Sequence, residues 1–577
     1  MWTALFLLLA VGQALAQLAF PQPPFMPQNA SAGAISSSGG IPNSQWSSLL
    51  GNLLYFYEAQ RSGKLPSTNR VKWRNDSALT DGQDVKLDLT GGYYDAGDYI
   101  KCTFPLSFTV MSICWGATDY GKGYDLANQT PYLDDMLRWS LDWLMKAHPS
   151  NDTLVVQVAD AELDDAYWGG DRDIPEPRPS YQINDTSPGT DAAAGAAAAF
   201  AACSNLYGNR VFSNAYSGPA TLQNSTYASV LLDHAQDLYS FATSASKTVY
   251  QNSVPQAGVA YPSSGFADEL TIAALFLSWA TNSSSLYQQA QTYYSQYNLT
   301  GYGGVFNWDT KTPGLLVLFA QIAQANPSFG NISTWQTQAE AYFDGIVYGG
   351  GKGYSTQGGL LYYPGDSDDA SLNPALNAAM LLNRYVPLAT TQSRQQDYYN
   401  YAKSQVQYAL GSNPMSVPYV VGANPNSPQN PHSAMASGGN NISNINNDPS
   451  QEAYVLYGAV VGGPDKYDRF FDIRGDWPET EPALDYNAPM LTLAAMHVLN
   501  DTTDPFYTSL QPGAYDSKKP QGMPCDAAYT DGCGGPQLSQ NAQIAMGVVV
   551  GLAGVIIFSL IGWWGWLCYR GGYDPFY

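Results

Sequence analysis

Asp95 and Asp98 stand three residues apart in Gly91-Gly92-Tyr93-Tyr94-Asp95-Ala96-Gly97-Asp98, on a segment that glycine and alanine keep uncrowded. Two carboxylates at this spacing converge on one point if the backbone curls, and Gly97 permits the curl. A water held between them could be made nucleophilic; an acidic turn or two ligands of a metal site fit the same spacing. A second acidic cluster, Glu479-Thr480-Glu481-Pro482-Ala483-Leu484-Asp485-Tyr486-Asn487, lies far along the chain. Cleavage of a glycosidic bond needs two such groups. One carboxylic acid protonates the leaving oxygen and one carboxylate activates water, roughly 6.5–9.5 Å apart when the anomeric centre inverts. A pocket walled by Trp477 and Tyr486 would keep Glu481 protonated by disfavouring its charged form. A solvated loop in an acidic protein is the plainer alternative for this cluster.

Two distant acidic loops meet only if the elements between them form a closed body. From Pro42 to about residue 505, apolar positions recur at helical spacing. The segments are Trp46 to Arg61, Pro105 to Thr118, Tyr132 to Ala147, Asp191 to Leu206, Ala228 to Thr243 and Asp268 to Thr281, followed by Pro313 to Ala325, Thr334 to Ile346, Pro374 to Tyr385, Gln395 to Leu410 and Ala488 to Leu499. Gly/Asp/Pro-rich loops separate them and strand-like alternation is brief. An all-α domain with long functional loops is expected, either helical hairpins closed into a ring or a looser right-angled array.

The ends carry different signals. Leu5 to Val11 is apolar and Ala14-Leu15-Ala16 has the small-x-small form of a cleavage site, so residues 1–16 read as a signal peptide. Residues 17–41, rich in Pro, Gly, Ser and Ala, read as a flexible lead-in. Residues 506–543 read as a stalk. Residues 544–567 hold no charge and, at about 36 Å as a helix, suffice to span a bilayer. A polar stretch, 568–577, follows the span as a cytoplasmic tail with Arg570, whereas a lipid-anchor signal would end in its apolar run. Gly547 and Gly551 make a GxxxG pair, either a weak dimer face or glycine tolerated in a membrane span. Eleven Asn-x-Ser/Thr triplets between Asn29 and Asn500 agree with passage through the secretory pathway to the plasma membrane, the large domain outside.

Composition excludes some partners. The net charge is −23, with 25 basic against 48 acidic residues, which argues against nucleic acid. The 42 tyrosines and 14 tryptophans mostly fill a core, and some can stack on sugar rings. Cys525 and Cys533 bracket a short loop and are expected to pair; Cys568 is expected in the cytoplasm. Cys102, Cys114 and Cys203 form an odd set with one thiol left over. No Cys/His spacing resembles a zinc site.

Phe56-Tyr57-Glu58-Ala59-Gln60-Arg61-Ser62-Gly63-Lys64-Leu65-Pro66, Trp73-Arg74, and Asp88 through Asp98 resemble glycoside hydrolase family 9, the inverting endoglucanases. Pro188-Gly189-Thr190-Asp191, Ser264 to Leu270, Asn413-Pro414, Tyr419-Val420-Val421-Gly422 and Glu481 to Asn487 extend the resemblance from about residue 45 to 500. It implies an (α/α)6 barrel cutting β-1,4-glucan within the chain, with no cofactor required. By position Asp98 would be the general base, Asp95 would help hold the water, and Glu481 would be the general acid, with Glu479 its local competitor. His432, Tyr486, Trp168 and Tyr94 are the implied substrate contacts. Ser264, Gly265, Asp268 and Glu269, with Asp309, match a structural Ca²⁺ loop of some members; Asp268 and Glu269 could equally cap the following helix.

Two departures bear on substrate. Where the family often carries Pro-His-His-Arg, this chain has Pro431-His432-Ser433-Ala434, and Asp165 replaces a histidine usual after Asp164. A catalytically weak glucan-binding or wall-sensing membrane protein on the same fold is therefore the alternative to an active enzyme.

Overall fold

The computed structural model describes residues 17–35, 39–213 and 215–533, together with Leu560, Trp563, Trp564, Trp566, Leu567, Arg570 and Gly571. The expected signal peptide lies outside the described residues, as does nearly all of the expected membrane span. Among the described residues no helix is long and apolar enough to cross a membrane.

Twelve long helices form the body, numbered here in chain order. They are α1 (Ser44–Ala59), α2 (Thr103–Asp119), α3 (Thr130–Ala147), α4 (Thr190–Tyr207), α5 (Ser225–Ser244) and α6 (Ala267–Thr281). The second half comprises α7 (Ser284–Gln296), α8 (Thr312–Ala325), α9 (Ile332–Val347), α10 (Leu372–Tyr385), α11 (Gln392–Ala409) and α12 (Leu484–Asn500). The even-numbered helices pack in a closed ring, α2 on α4, α4 on α6, α6 on α8, α8 on α10, α10 on α12 and α12 back on α2. The odd-numbered ones lie against this ring from outside. This is the (α/α)6 arrangement. The two sets differ in composition for a physical reason. Inner helices are covered on all sides, so α2 and α4 are buried at every position, and alanines of α4 let its neighbours approach closely. Outer helices bury one stripe, as in α5, where Tyr227, Leu231, Leu238 and Phe241 face inward. A Cys114–Cys203 disulfide ties α2 to α4, and Cys102 is the buried free thiol among the described residues.

Helix α7 escaped the periodic pattern because only Tyr287, Ala290 and Tyr294 of this Gln- and Ser-rich segment are buried. The domain is also not purely helical. A three-stranded antiparallel sheet, β1 (Lys101–Cys102), β2 (Leu154–Val158) and β3 (Ser180–Ile183), and a hairpin of β4 (Tyr354–Ser355) and β5 (Leu361–Tyr362) brace the loops.

Two expectations about the flanks are corrected. The lead-in is docked: Gln17 and Leu18 bond to Asp135 and Asp134 of α3, Phe20 stacks on Tyr132, and the Phe25 N–H donates to the Tyr132 hydroxyl. The first part of the stalk is likewise part of the body. Tyr507, Leu510 and Tyr515 are buried in the main core, and Cys525–Cys533 closes a loop whose Ala527 N–H donates to the Asp368 carbonyl. Pro- and Gly-rich composition reported the lack of regular structure there, and apolar anchors supply the packing.

Candidate active site

All six inner helices begin at the same end of the ring. The Leu484 N–H that opens α12 donates to the Asp95 carbonyl, ahead of α2. The side chain of Asn373, at the start of α10, reaches Asp485 of α12, and the Lys311 N–H, beside α8, donates to Asp268 of α6. The Tyr250 N–H donates to Asp191 in the first turn of α4, and the Tyr250 hydroxyl reaches the Tyr261 carbonyl before α6. Helix N-termini carry partial positive charge, so this rim favours acidic groups.

Within the rim, the loop 95–100 is held from several sides. The Asp95 N–H closes on the Ile100 carbonyl at 3.0 Å, the Gln60 amide donates to the Ala96 carbonyl at 2.6 Å, and the Tyr99 N–H donates to Asp164 at 2.9 Å. The Gly97 N–H donates to Glu481 Oε1 at 3.0 Å and the Ala434 N–H to the Gly97 carbonyl at 2.7 Å. Glycine is required at 97: a Cβ there would lie 2.1 Å from the His432 carbonyl oxygen and 2.9 Å from Glu481 Oε1. The two acidic segments far apart in sequence are thus one site.

A cavity of about 410 Å³ is lined by Asp98, Asp164, Asp165, Tyr167, Trp168, His432, Ile442, Trp477 and Glu481. Burial pushes the Glu481 carboxyl up to about 7, with the Asp165 charge adding to the shift and the Gly97 N–H opposing it. Burial, then the charges of Asp164, Glu481 and Asp95, raise Asp98 well above the usual carboxylate range. Burial also raises Asp95, against a hydrogen bond from the Tyr261 hydroxyl that favours its anion. So many crowded acids cannot all ionise at once.

His432 donates from Nδ1 to the Arg474 carbonyl at 2.7 Å, which leaves Nε2 as an acceptor. Burial lowers its basicity to about 4, so the ring is neutral near neutrality. Trp168 meets His432 edge-on with centroids 4.9 Å apart. Tyr486 is half-buried beside the charges of Asp485, Glu481 and Asp95.

Three expectations fare differently. Tyr94 is fully buried, its hydroxyl bonded to Ser77 Oγ and its ring flanked by the Arg74 and Arg178 guanidinium groups; it braces the loop from behind and cannot touch substrate. Glu479 does not line the cavity: its Oε2 accepts the Phe471 N–H, and its charged neighbours are Asp476, Asp465 and Asp526. The calcium loop is assembled around a lysine. Lys311 pairs with Glu269 at 2.6 Å and also donates to the Trp308 carbonyl, Asp309 accepts the Ser264 N–H, and the Gly265 carbonyl accepts the Ser263 hydroxyl. Asp268 accepts the Lys311 N–H, so each of the three loop carboxylates is engaged by a donor of the loop itself. Tyr261 and Asp164 are the residues that sequence reasoning left without a role, whereas Asp165, noted as a departure at a substrate position, does line the cavity. Only contacts across the ring reveal Tyr261 and Asp164.

Carboxylates gathered at one cavity on the rim of an (α/α)6 ring are the arrangement a glycoside hydrolase needs. The family pattern described as glycosyl hydrolase family 9 matches residues 46–494. The chain is 38% identical over 494 residues to Endoglucanase 15 of Arabidopsis thaliana, spanning 80% of this chain and 94% of the relative. Against Endoglucanase A of Bacillus pumilus it is 34% identical over 458 residues, covering 78% and 66%. The solved endoglucanase of the termite Nasutitermes takasagoensis superposes with a TM-score of 0.69 at 34% identity, over 79% of this chain and 98% of that one. An endoglucanase of Clostridium thermocellum complexed with cellobiose and cellotriose gives 0.67 at 28% identity, over 83% and 72%. The chain belongs to glycosyl hydrolase family 9 and is an enzyme of the glycoside hydrolase class.

Proposed function

We propose that the enzyme is an endo-β-1,4-glucanase, a cellulase that hydrolyses internal bonds with inversion. Asp98 acts as general base on the attacking water, Asp95 positions that water, and Glu481 protonates the leaving oxygen. The observation that carries this reading is the Gly97 N–H to Glu481 hydrogen bond, which fixes the acid against the loop bearing Asp98 at one cavity. The raised Glu481 supports the acid role, since a proton donor must hold its proton near working pH. Neutral His432 accepts a sugar hydroxyl through Nε2, and Trp168, Trp477 and Tyr486 offer apolar faces. Relatives named endoglucanases support the substrate class.

The same reading places the domain outside the plasma membrane, delivered by residues 1–16 and held by one helix over 544–567, with Gly547 and Gly551 available for weak pairing. In the decisive experiment, Asp98→Ala and Glu481→Gln each abolish reducing-end release from a soluble cellulose derivative with folding intact. Proton NMR on fresh product from the parent enzyme shows the α-anomer first. Release by Glu481→Gln at the parent rate, or a β-anomer first, overturns the scheme.

A further inference from the structure

We propose that Asp476, Glu479 and Asp526 form a binding site for one calcium ion, which fastens the C-terminal segment to the turn that leads into Glu481. The three carboxylates offer one oxygen each within 4.8 Å of one another. Ligands of a Ca²⁺ ion, at about 2.3–2.6 Å from it, lie within roughly 5 Å of one another, and an all-protein carboxylate cage suits its flexible coordination better than that of Mg²⁺, which keeps several of its waters.

The surroundings leave these oxygens waiting for a cation. Asp476 is fully buried with neither carboxylate oxygen in a well-formed hydrogen bond; its polar neighbours are the Glu479 N–H and the Asp526 carboxyl. Glu479, 1% exposed, spends Oε2 on the Phe471 N–H and leaves Oε1 free. Asp526, 6% exposed, spends Oδ1 on the Ala528 and Tyr529 N–H groups, and its remaining polar neighbour is the Asp476 carboxyl. The protein's own donors thus orient two of the three side chains. The nearby cation, Arg469, is already engaged by Asp465. Three buried carboxylates without a counter-charge are costly, and a shared proton relieves only part of that cost.

The site also joins two parts of the chain. Asp476 and Glu479 belong to the single turn Trp477–Thr480 and its N-cap, immediately before Glu481. Asp526 sits inside the Cys525–Cys533 loop, beyond residue 494, where the family match ends. An ion here would pin the disulfide loop onto the segment that sets the acid.

The test uses the full-length protein in detergent, stripped with chelator and titrated with calcium chloride by calorimetry. One equivalent binds the parent protein and Asp309→Asn, and that equivalent is lost in Asp526→Asn. Amide exchange over residues 471–480 and 525–533 slows when calcium is added to the parent, a readout that needs no variant and stands if Asp526→Asn does not fold. Survival of the equivalent in both Asp476→Asn and Asp526→Asn, or unchanged exchange over those residues, overturns the proposal and leaves a shared proton holding the carboxylates together.

Discussion

The Tyr261 hydroxyl donates to Asp95 Oδ2, joining the loop before α6 to the loop that carries the proposed base. The bond favours the Asp95 anion and offsets part of the burial that raises this carboxyl. Tyr261→Phe removes that donor with little change in volume. A hydrogen bond to a charged group is worth about 1.5–3 kcal/mol, so kcat on a soluble glucan should fall roughly tenfold to a hundredfold with KM nearly unchanged. Steady-state kinetics across a substrate series checks this, and an equal loss expressed wholly in KM would assign Tyr261 to substrate binding.

Gly97→Ala tests the close approach on which the site depends. The added methyl cannot coexist with the His432 carbonyl oxygen at 2.1 Å, so the loop or the His432 strand of chain must move and the hydrogen bond to Glu481 opens. Misplacement of this order costs about a hundredfold in rate. Thermal unfolding should also show destabilisation, because the clash is with backbone and not with a flexible side chain.

Asp165→Asn separates electrostatics from contact. Activity of the parent should fall as pH rises through about 7, where Glu481 loses its proton. The Asp165 charge helps hold that proton, so its removal lets Glu481 ionise at lower pH, and the alkaline limb of kcat/KM should move downward. A limb that stays in place, or moves upward, would show that Asp165 does not act on the acid.

The ring itself was largely written in the chain, and the site only partly. Alternation of all-buried helices such as α4 with striped ones such as α5 is a local property, visible as apolar spacing. Helix α7 was not, because three buried side chains among glutamines and serines leave too faint a stripe. Spacing and family motif pointed to Asp95, Asp98 and Glu481, and the two segments that carry them do meet. Tyr261 was not, since it lies in an irregular loop and its partner is 166 positions away. Tyr94 misled for the opposite reason: it adjoins the acidic pair in sequence, while its own side chain points into the Arg74 and Arg178 groups behind the loop. A tertiary contact between irregular segments leaves no period to read.

The Cys114–Cys203 disulfide joins inner helices 89 positions apart. In the chain-entropy view such a closure contributes about 4–5 kcal/mol, and engineered removals often show less. The Cys114→Ala/Cys203→Ala variant should lose about 2–4 kcal/mol in denaturant unfolding. Its kcat at low temperature should match the parent, because the bridge lies within the barrel wall and touches no cavity residue.

Truncation addresses the segment that composition had marked as a stalk. Tyr507, Leu510 and Tyr515 are at most 9% exposed. Asn424 donates to the Tyr507 carbonyl at 2.9 Å, and the Tyr515 hydroxyl donates to the Phe470 carbonyl at 2.9 Å. Burial of each such side chain is worth about 1.5–3 kcal/mol, so a chain ending at residue 505 should be less stable than one ending at 533 by about 4 kcal/mol or more. Phe470 adjoins Phe471, whose N–H holds Glu479 two residues before the acid, so the shorter chain should also lose activity at temperatures where it remains folded. Denaturant midpoints and reducing-end assays on the two truncations decide it. Equal midpoints would return residues 506–533 to the role of a spacer.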